Sequence, residues 1–217
     1  MEYPKIETLF DRKENHKVDE TRIRCPEFSA INSWWITEKI DGTNIRIIFE
    51  RENANQPATN KPLDIRGRTD NATLPEHIKE IFKSHTFDAG RWDSLMQMGM
   101  GKMIIYGEAC GSKIQNGGLY ETKDKKRRFL VFDIWIDGWW LEWPTILRIC
   151  NNLNLETVPL LPYFTIKEAL AAVKRNERSL VGEIEHAFEG VVATSNPLML
   201  FRDGRPIKWK LKCRDFY

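Results

Sequence analysis

The sequence predicts an α+β fold of twisted antiparallel sheets flanked by helices, and three observations carry that expectation. Short apolar runs of strand length recur along the chain; helix-length amphipathic stretches fall between them irregularly; and a tight polar turn, "IDGW" at 136–139, joins strand to strand with no room for a crossover helix. The chain has 217 residues, 41% hydrophobic and 29% charged, which is enough for one sizeable core, so a single domain over 1–217 is expected.

From Met1 to Ser33 the sequence is polar and broken by Pro4 and Pro26, and it reads as an irregular N-terminal arm wrapping the domain. Strands are expected at Trp34 to Lys39, Ile45 to Glu50, Leu63 to Thr69, Met103 to Glu108, Phe129 to Ile136, Gly190 to Thr194 and Ile207 to Lys212. A helix is expected from Pro75 to His85, where Ile78, Ile81, Phe82 and His85 share a face, and another from Pro144. In "TIKEALAAVKRNE", Thr165 and Glu168 have capping-box spacing ahead of an alanine-rich amphipathic stretch. No repeat and no low-complexity tract interrupts this order.

Composition excludes several classes. Lysine and arginine total 33 against 31 acidic residues, so no global field draws in a polyanion, and any nucleic-acid site is a local patch. Cys25, Cys110, Cys150 and Cys213 lie far apart with no CxxC pair, which indicates reduced thiols rather than zinc ligands or disulfides. The N-terminus "MEYPKIETLF" lacks a basic segment followed by an apolar one, and the longest apolar run, "FLVFDIWI", is short and interrupted by Asp133. The expectation is a cytoplasmic protein with no membrane partner.

Phosphate loops and common catalytic motifs are absent from the sequence. "GMGKM" at 99–103 has neither the following Ser or Thr nor the earlier glycine of a P-loop, and no GxGxxG occurs. His16, His77, His85 and His186 form no HExxH, and no Gly-x-Ser-x-Gly marks a nucleophile elbow. What remains is a distributed set: "EKIDGTN" at 38–44, "YGEACG" at 106–111, "VFDIWIDG" at 131–138, "EGVVAT" at 189–194 and "IKWKLK" at 207–212. A lone Lys-x-Asp-Gly arises by chance in roughly one chain in twenty of this length. Five such segments in order do not.

In that order the segments resemble the motifs of the covalent nucleotidyltransferases, the superfamily of polynucleotide ligases and mRNA capping enzymes, whose fold is a nucleotidyltransferase (ATP-grasp-like) domain. "EKIDGTN" with its Thr-Asn, the "YPKIETLF" arm and "FDIWIDG" are most similar to RNA ligases of the nick-sealing type. The resemblance implies that Lys39 attacks the α-phosphorus of ATP and holds AMP as a phosphoramidate, which requires a deprotonated amine. It implies that Glu38 reads the exocyclic amine of adenine, that Asn44 lies near the phosphate, and that Asp41 and Gly42 shape the turn. Taken alone, Asp41-Gly42 reads as an ordinary hairpin turn. Ile40, grouped with the nucleotide-binding residues, would anchor in the core while Lys39 and Asp41 face the other way.

The further motifs imply Arg68 on the nucleotide sugar and RNA end, with Arg66, two residues earlier on the same strand face, as the alternative. They imply Glu108 on the ribose hydroxyls, Phe132 stacked on the purine, and Glu189 as the carboxylate for metal and phosphate, with magnesium or manganese as cofactor. Lys208 and Lys210, alternating with Lys212, would neutralise the α-phosphate and the departing pyrophosphate and lower the pKa of Lys39.

"KDKKRR" at 123–128 receives no role, and Trp34, Trp35, Trp139, Trp140 and Trp143 read as packing residues. The implied activity is ATP-dependent joining of an RNA 5′-phosphate to a 3′-hydroxyl, with RNA repair as its setting. DNA nick sealing, guanylylation, or an idle nucleotide- or RNA-binding module are the alternatives. The family carries a further domain after its last lysine motif, whereas this sequence stops five residues beyond Lys212. The expectation is a minimal nucleotidyltransferase domain or a truncated piece of a longer chain, acting as a monomer or with a separate partner that supplies the substrate-binding part.

Overall fold

A computed structural model describes residues 1–14, 17–50, 64–83, 101–115, 117–124 and 126–217. Its chain divides into two compact units: unit one comprises Met1–Tyr3 and Asp41–Thr157, and unit two comprises Pro4–Ile40 and Val158–Tyr217.

In unit two, the apolar positions of three segments alternate and force a sheet with one buried face. Strand β4 (Trp34–Glu38) pairs antiparallel with β11 (Gly190–Ser195), which pairs antiparallel with β12 (Lys208–Lys212), and the short β1 (Glu7–Thr8) adds a parallel edge. Trp34, Ile36, Val191, Ala193, Trp209 and Leu211 all lie in one core cluster. Trp34 meets the Trp209 ring edge-on at 5.4 Å. Helix α4 (Ile166–Lys174) joins the same cluster through Ala169, Ala172 and Val173, small side chains that let a helix come close. Its start follows the expected chemistry: Thr165 accepts from the Glu168 amide and Glu168 reaches back to the Thr165 amide.

The N-terminal arm differs from its expected irregularity. Besides β1, it forms a hairpin of β2 (Phe10–Arg12) and β3 (Val18–Ile23) and a short helix α1 (Pro26–Ala30). Three buried side chains, Leu9, Phe10 and Phe28, punctuate an otherwise polar run, too sparsely to show a period.

Unit one is built on three long antiparallel strands: β5 (Thr43–Glu50), β7 (Lys102–Cys110) and β8 (Arg128–Ile136). Strand β6 (Asp64–Gly67) extends one edge; β9 (Trp139–Trp140) and β10 (Glu156–Thr157) pair with β8, the latter in parallel. The β8–β9 turn places Asp137 and Gly138 at φ +44° and +98°, the left-handed pair that a two-residue hairpin demands. Helices α2 (Glu76–Lys83) and α3 (Trp143–Leu153) also belong to this unit, and Asn154 ends α3 in a left-handed cap.

The expected third strand ends earlier, at Gly67, with Arg68 and Thr69 in a bend. Leu63, His85 and the Gly99-Met100 part of "GMGKM" lie outside the described residues. Asp41-Gly42 is no hairpin turn: β4 pairs with β11 while β5 pairs with β6 and β7, so the chain changes sheets there. Among the described residues, no helix is long and apolar enough to cross a membrane.

Candidate active site

Unit two brings together a group of charged candidate side chains. With Trp34 and Ile36 turned to the core, alternation sends Trp35, Thr37 and Lys39 to the other face of the sheet. On β12 the inward Trp209 and Leu211 likewise send Lys208, Lys210 and Lys212 outward from that core. The Lys39 amide donates to the Gly190 carbonyl (3.0 Å) and the Cys213 amide to the Glu189 carbonyl (2.9 Å), which fixes the strand ends. Between them Glu189 bridges two cations. Its Oε2 accepts from Lys39 Nζ at 2.5 Å and its Oε1 from Lys212 Nζ at 2.6 Å. These three side chains are only 12–21% exposed, so their attraction is less screened than at an open surface.

Gly190 permits this arrangement. A Cβ there would lie 2.0 Å from the Leu211 carbonyl oxygen, so no other residue lets β11 and β12 close beside Glu189. Lys39 and Lys212 thus flank one carboxylate, and Lys208 and Lys210 alternate on the same face of β12 as Lys212, an arrangement that suits a polyanion. Lys208 is itself 6% exposed.

Glu38 points to the opposite side of the sheet and is buried. Its carboxylate accepts from Ser179 Oγ (2.5 Å) and from the Leu180 amide (2.8 Å). Burial raises its pKa above the ordinary value, and the two hydrogen bonds pull in the other direction. Nothing in the sequence marks Ser179 or Leu180 as partners of Glu38.

Unit one holds its candidate residues largely through main-chain and side-chain hydrogen bonds. The Asp41 amide donates to the Tyr120 hydroxyl (3.0 Å), and the Gly42 amide donates to Glu108 Oε1 (3.2 Å). A Cβ at Gly42 would lie 2.1 Å from the Ala109 carbonyl oxygen, so β5 can leave the sheet-changing segment beside β7 only with glycine there. Asn44 stands directly opposite Glu108 in the β5–β7 register, and its Oδ1 is buried without a protein partner among the described residues. Ile40, which ends the first segment of unit two, is 4% exposed, in keeping with an anchor.

Phe132 sits where β7 and β8 slip register between Tyr106 and Gly107. Its half-buried ring lies edge-on to Tyr3 at 5.0 Å, and the Tyr3 hydroxyl donates to Asp133. Burial and the Asp133 charge hold the Tyr3 hydroxyl well above its ordinary pKa. The two candidate arginines are separated: Arg66 is engaged by Asp64 (2.5 Å) and Asp70 (3.2 Å), whereas Arg68 is exposed on the bend. The basic run is paired with carboxylates of the same unit, Lys126 with Asp124, Arg127 with Glu80 and Arg128 with Glu156.

No cluster of three or more His, Cys, Asp or Glu side chains occurs among the described residues. Glu189 is a hard oxygen donor facing the lysine-rich side, a donor set that fits a divalent ion sharing phosphate oxygens rather than a protein cage.

The sequence pattern of the RNA ligase family matches residues 32–210, which include Lys39, Glu108, Glu189, Lys208 and Lys210 but not Lys212. The chain belongs to the RNA ligase family. Among solved structures, this family member resembles Naegleria gruberi RNA ligase with PPi at TM-score 0.59 and 17% identity, covering 96% of this chain and 61% of that one. A lysine variant of the same ligase with AMP and Mn matches at TM-score 0.59 and 17% identity, over 97% and 61% of the two chains. Another variant, with ATP and Mn, matches at 0.57 and 16%, over 96% and 60%. At these identities the likeness shows the fold, and the present chain spans about three-fifths of the length of those ligases. No curated protein matches.

The sequence motifs point to lysines and glutamates, and sequence reasoning missed some of the residues that hold them. Lys212 meets Glu189; Tyr120 holds the Asp41 amide; and Arg46, on a strand read only as apolar, is fully buried. Lys212 was legible from its alternation with Lys208 and Lys210. Tyr120 had no signal.

Proposed function

We propose that this chain forms a covalent lysyl-AMP on Lys39 from ATP, passes AMP to an RNA 5′-phosphate, and directs a 3′-hydroxyl to displace it. The observation that carries the reading is the Lys39–Glu189–Lys212 bridge in a chain of the RNA ligase family. A solvated lysine has no need of a half-buried carboxylate and a second cation beside it.

In the first step the Lys39 Nζ–P bond forms as the bond from the α-phosphorus to pyrophosphate breaks, and Nζ gives up a proton. Glu189 Oε2 already accepts from Nζ, so it stands ready to receive that proton. Lys208, Lys210 and Lys212 offset the charge that develops on the phosphates. Magnesium or manganese, held by Glu189 and phosphate oxygens, would add further charge neutralisation.

Glu38 selects the base. Each carboxylate oxygen keeps acceptor capacity beyond the Ser179 and Leu180 bonds, so an exocyclic amine is welcome where a carbonyl oxygen would be repelled. Glu108 accepts from the ribose, Phe132 stacks on the purine, Asn44 serves the phosphate, and Arg68 serves the sugar and RNA end.

The test is direct. Incubation with labelled ATP and divalent metal, followed by denaturation, gives an acid-labile protein-bound label that disappears in Lys39→Ala. Pre-adenylylated RNA is then sealed to a 3′-hydroxyl strand without ATP. No adduct with ATP or GTP sinks the enzyme reading; an adduct with GTP alone turns it toward capping, and sealing of DNA alone turns it toward DNA nick joining.

A further inference from the structure

Arg46 is among the largest fully buried side chains of the molecule, at 0% exposure in the middle of β5. Burying a guanidinium is costly unless its hydrogen bonds are well placed, and an apolar side chain would fill a strand position more cheaply. The hydrogen bonds made by Arg46 converge on one short segment. Its Nε donates to the Gly67 carbonyl at 2.8 Å and its Nη2 to Asp70 Oδ1 at 2.9 Å. Arg66 Nη1 reaches the same Asp70 oxygen at 3.2 Å, and the Asp70 amide donates to Glu2 Oε1 at 3.0 Å.

Gly67 and Asp70 flank the bend that carries Arg68 and Thr69. The Ala72 amide closes the turn on the Thr69 carbonyl at 3.2 Å. A Cβ at Gly67 would lie 2.9 Å from the Ala72 Cβ, so the chain there has little freedom to shift. Arg46 thus grips both ends of the bend from below while Arg68 projects from it, exposed. Arg66 is held by Asp64 and Asp70 and is occupied with the same clamp.

We infer that Arg46 is a positioning residue, which with Asp70 fixes the 67–70 backbone so that Arg68 is presented to the nucleotide sugar and the RNA end. The inference rests on the role given to Arg68 under the ligase reading. A planar fork with donors in fixed directions can hold a carbonyl and a carboxylate together, which a lysine cannot reproduce.

Asp70 is the accessible handle, because it is exposed and can be changed without opening the core. Asp70→Asn and Arg46→Lys are compared with Arg68→Ala and with the Asp70→Asn, Arg68→Ala pair. Hydrogen exchange of the 67–72 amides is followed in the protein alone, and the KM for RNA and the maximal rate are measured separately with pre-adenylylated RNA. Expected are faster exchange confined to 67–72 and a KM for RNA raised about tenfold, the scale of a misplaced contact. The double variant should then be no worse than Arg68→Ala alone, since both changes remove one contribution. Unchanged exchange in Asp70→Asn, or defects that multiply in the double variant, overturns the inference. Should Arg46→Lys not fold, Asp70→Asn still decides it. A wild-type protein that neither forms lysyl-AMP nor seals RNA removes the role of Arg68 and so the purpose assigned to Arg46. Exchange would still show whether the clamp exists.

Discussion

The two units solve different physical problems with different residue chemistry. In unit two the candidate residues are charged and grip one another: Glu189 is shared by Lys39 and Lys212, and Lys208 and Lys210 stand on the same face. In unit one the contacts are hydrogen bonds and ring edges: Gly42 to Glu108, Asp41 to Tyr120, Phe132 against Tyr3. A cluster of like charges around one carboxylate stabilises the protein little, but it is well suited to charge that appears during a reaction. Hydrogen bonds and ring contacts on rigid strands do the reverse, since such contacts would hold a ligand equally before and during a reaction. The division predicts that unit two sets the rate of nucleotidyl transfer and unit one sets the affinity for nucleotide.

The largest effect that could break this division comes from Glu189→Gln. It should slow lysyl-AMP formation by about 10²–10³-fold with the KM for ATP little changed, because it removes an interaction that strengthens toward the transition state. Single-turnover labelling over a range of ATP concentrations checks it. A change confined to KM would assign Glu189 to binding and erase the contrast.

Next come the two glycines that let each unit close. Gly190→Ala would place a Cβ 2.0 Å from a backbone oxygen, and Gly42→Ala would place one at 2.1 Å. Each should cost about 1–3 kcal/mol or more in urea unfolding, as overpacking does where backbone must move. Equal stability of either variant with wild type would show that the close approach is not required there.

Smaller again is Phe132→Ala, which should weaken ATP by about 1–3 kcal/mol, the scale of one aromatic–base stack, with the rate at saturation retained. A rate defect at saturating ATP would move Phe132 to the side of the chemistry.

These residues were unequally legible in the sequence. The strands of both units follow from apolar alternation, and the Thr165–Glu168 capping box was read from spacing alone, because each depends on neighbours in the chain. The position of Lys39 next to a Gly-bearing turn was legible for the same reason. What was hidden depends on register: the pairing of Lys212 with Glu189 follows from Gly190 on β11 standing opposite Lys212 on β12, and Ser179 meets Glu38 across 141 residues. Arg46 was hidden differently. Within "NIRIIFE" a buried arginine looks like the polar tooth of an alternating strand, and only the fold shows it turned inward to Gly67 and Asp70. The arm hides its strands because β1 and β2, at two and three residues, are too short to show a period, and the six residues of β3, "VDETRI", are mostly polar.

The finest test concerns Glu38, which belongs to unit two but makes neutral-type contacts, and so sits across the division. Its carboxyl is held above its ordinary pKa by burial. Below the unfolded value of 4.5 it is protonated in both states and costs the fold nothing. As pH rises from there, the native state keeps its proton longer than the unfolded chain. Unfolding then releases protons, and stability falls until the pH passes the native pKa. Glu38→Gln cannot titrate. Its urea midpoint should match wild type most closely near pH 4 and gain on it as pH rises toward 7. The same variant replaces one acceptor oxygen by an amide donor, so its preference for ATP over GTP in the labelling assay should relax slightly. Parallel stability curves would mean that burial does not tax the carboxylate. An unaltered nucleotide preference would mean that Glu38 serves only to hold Ser179 and Leu180, which would return base selection to unit one.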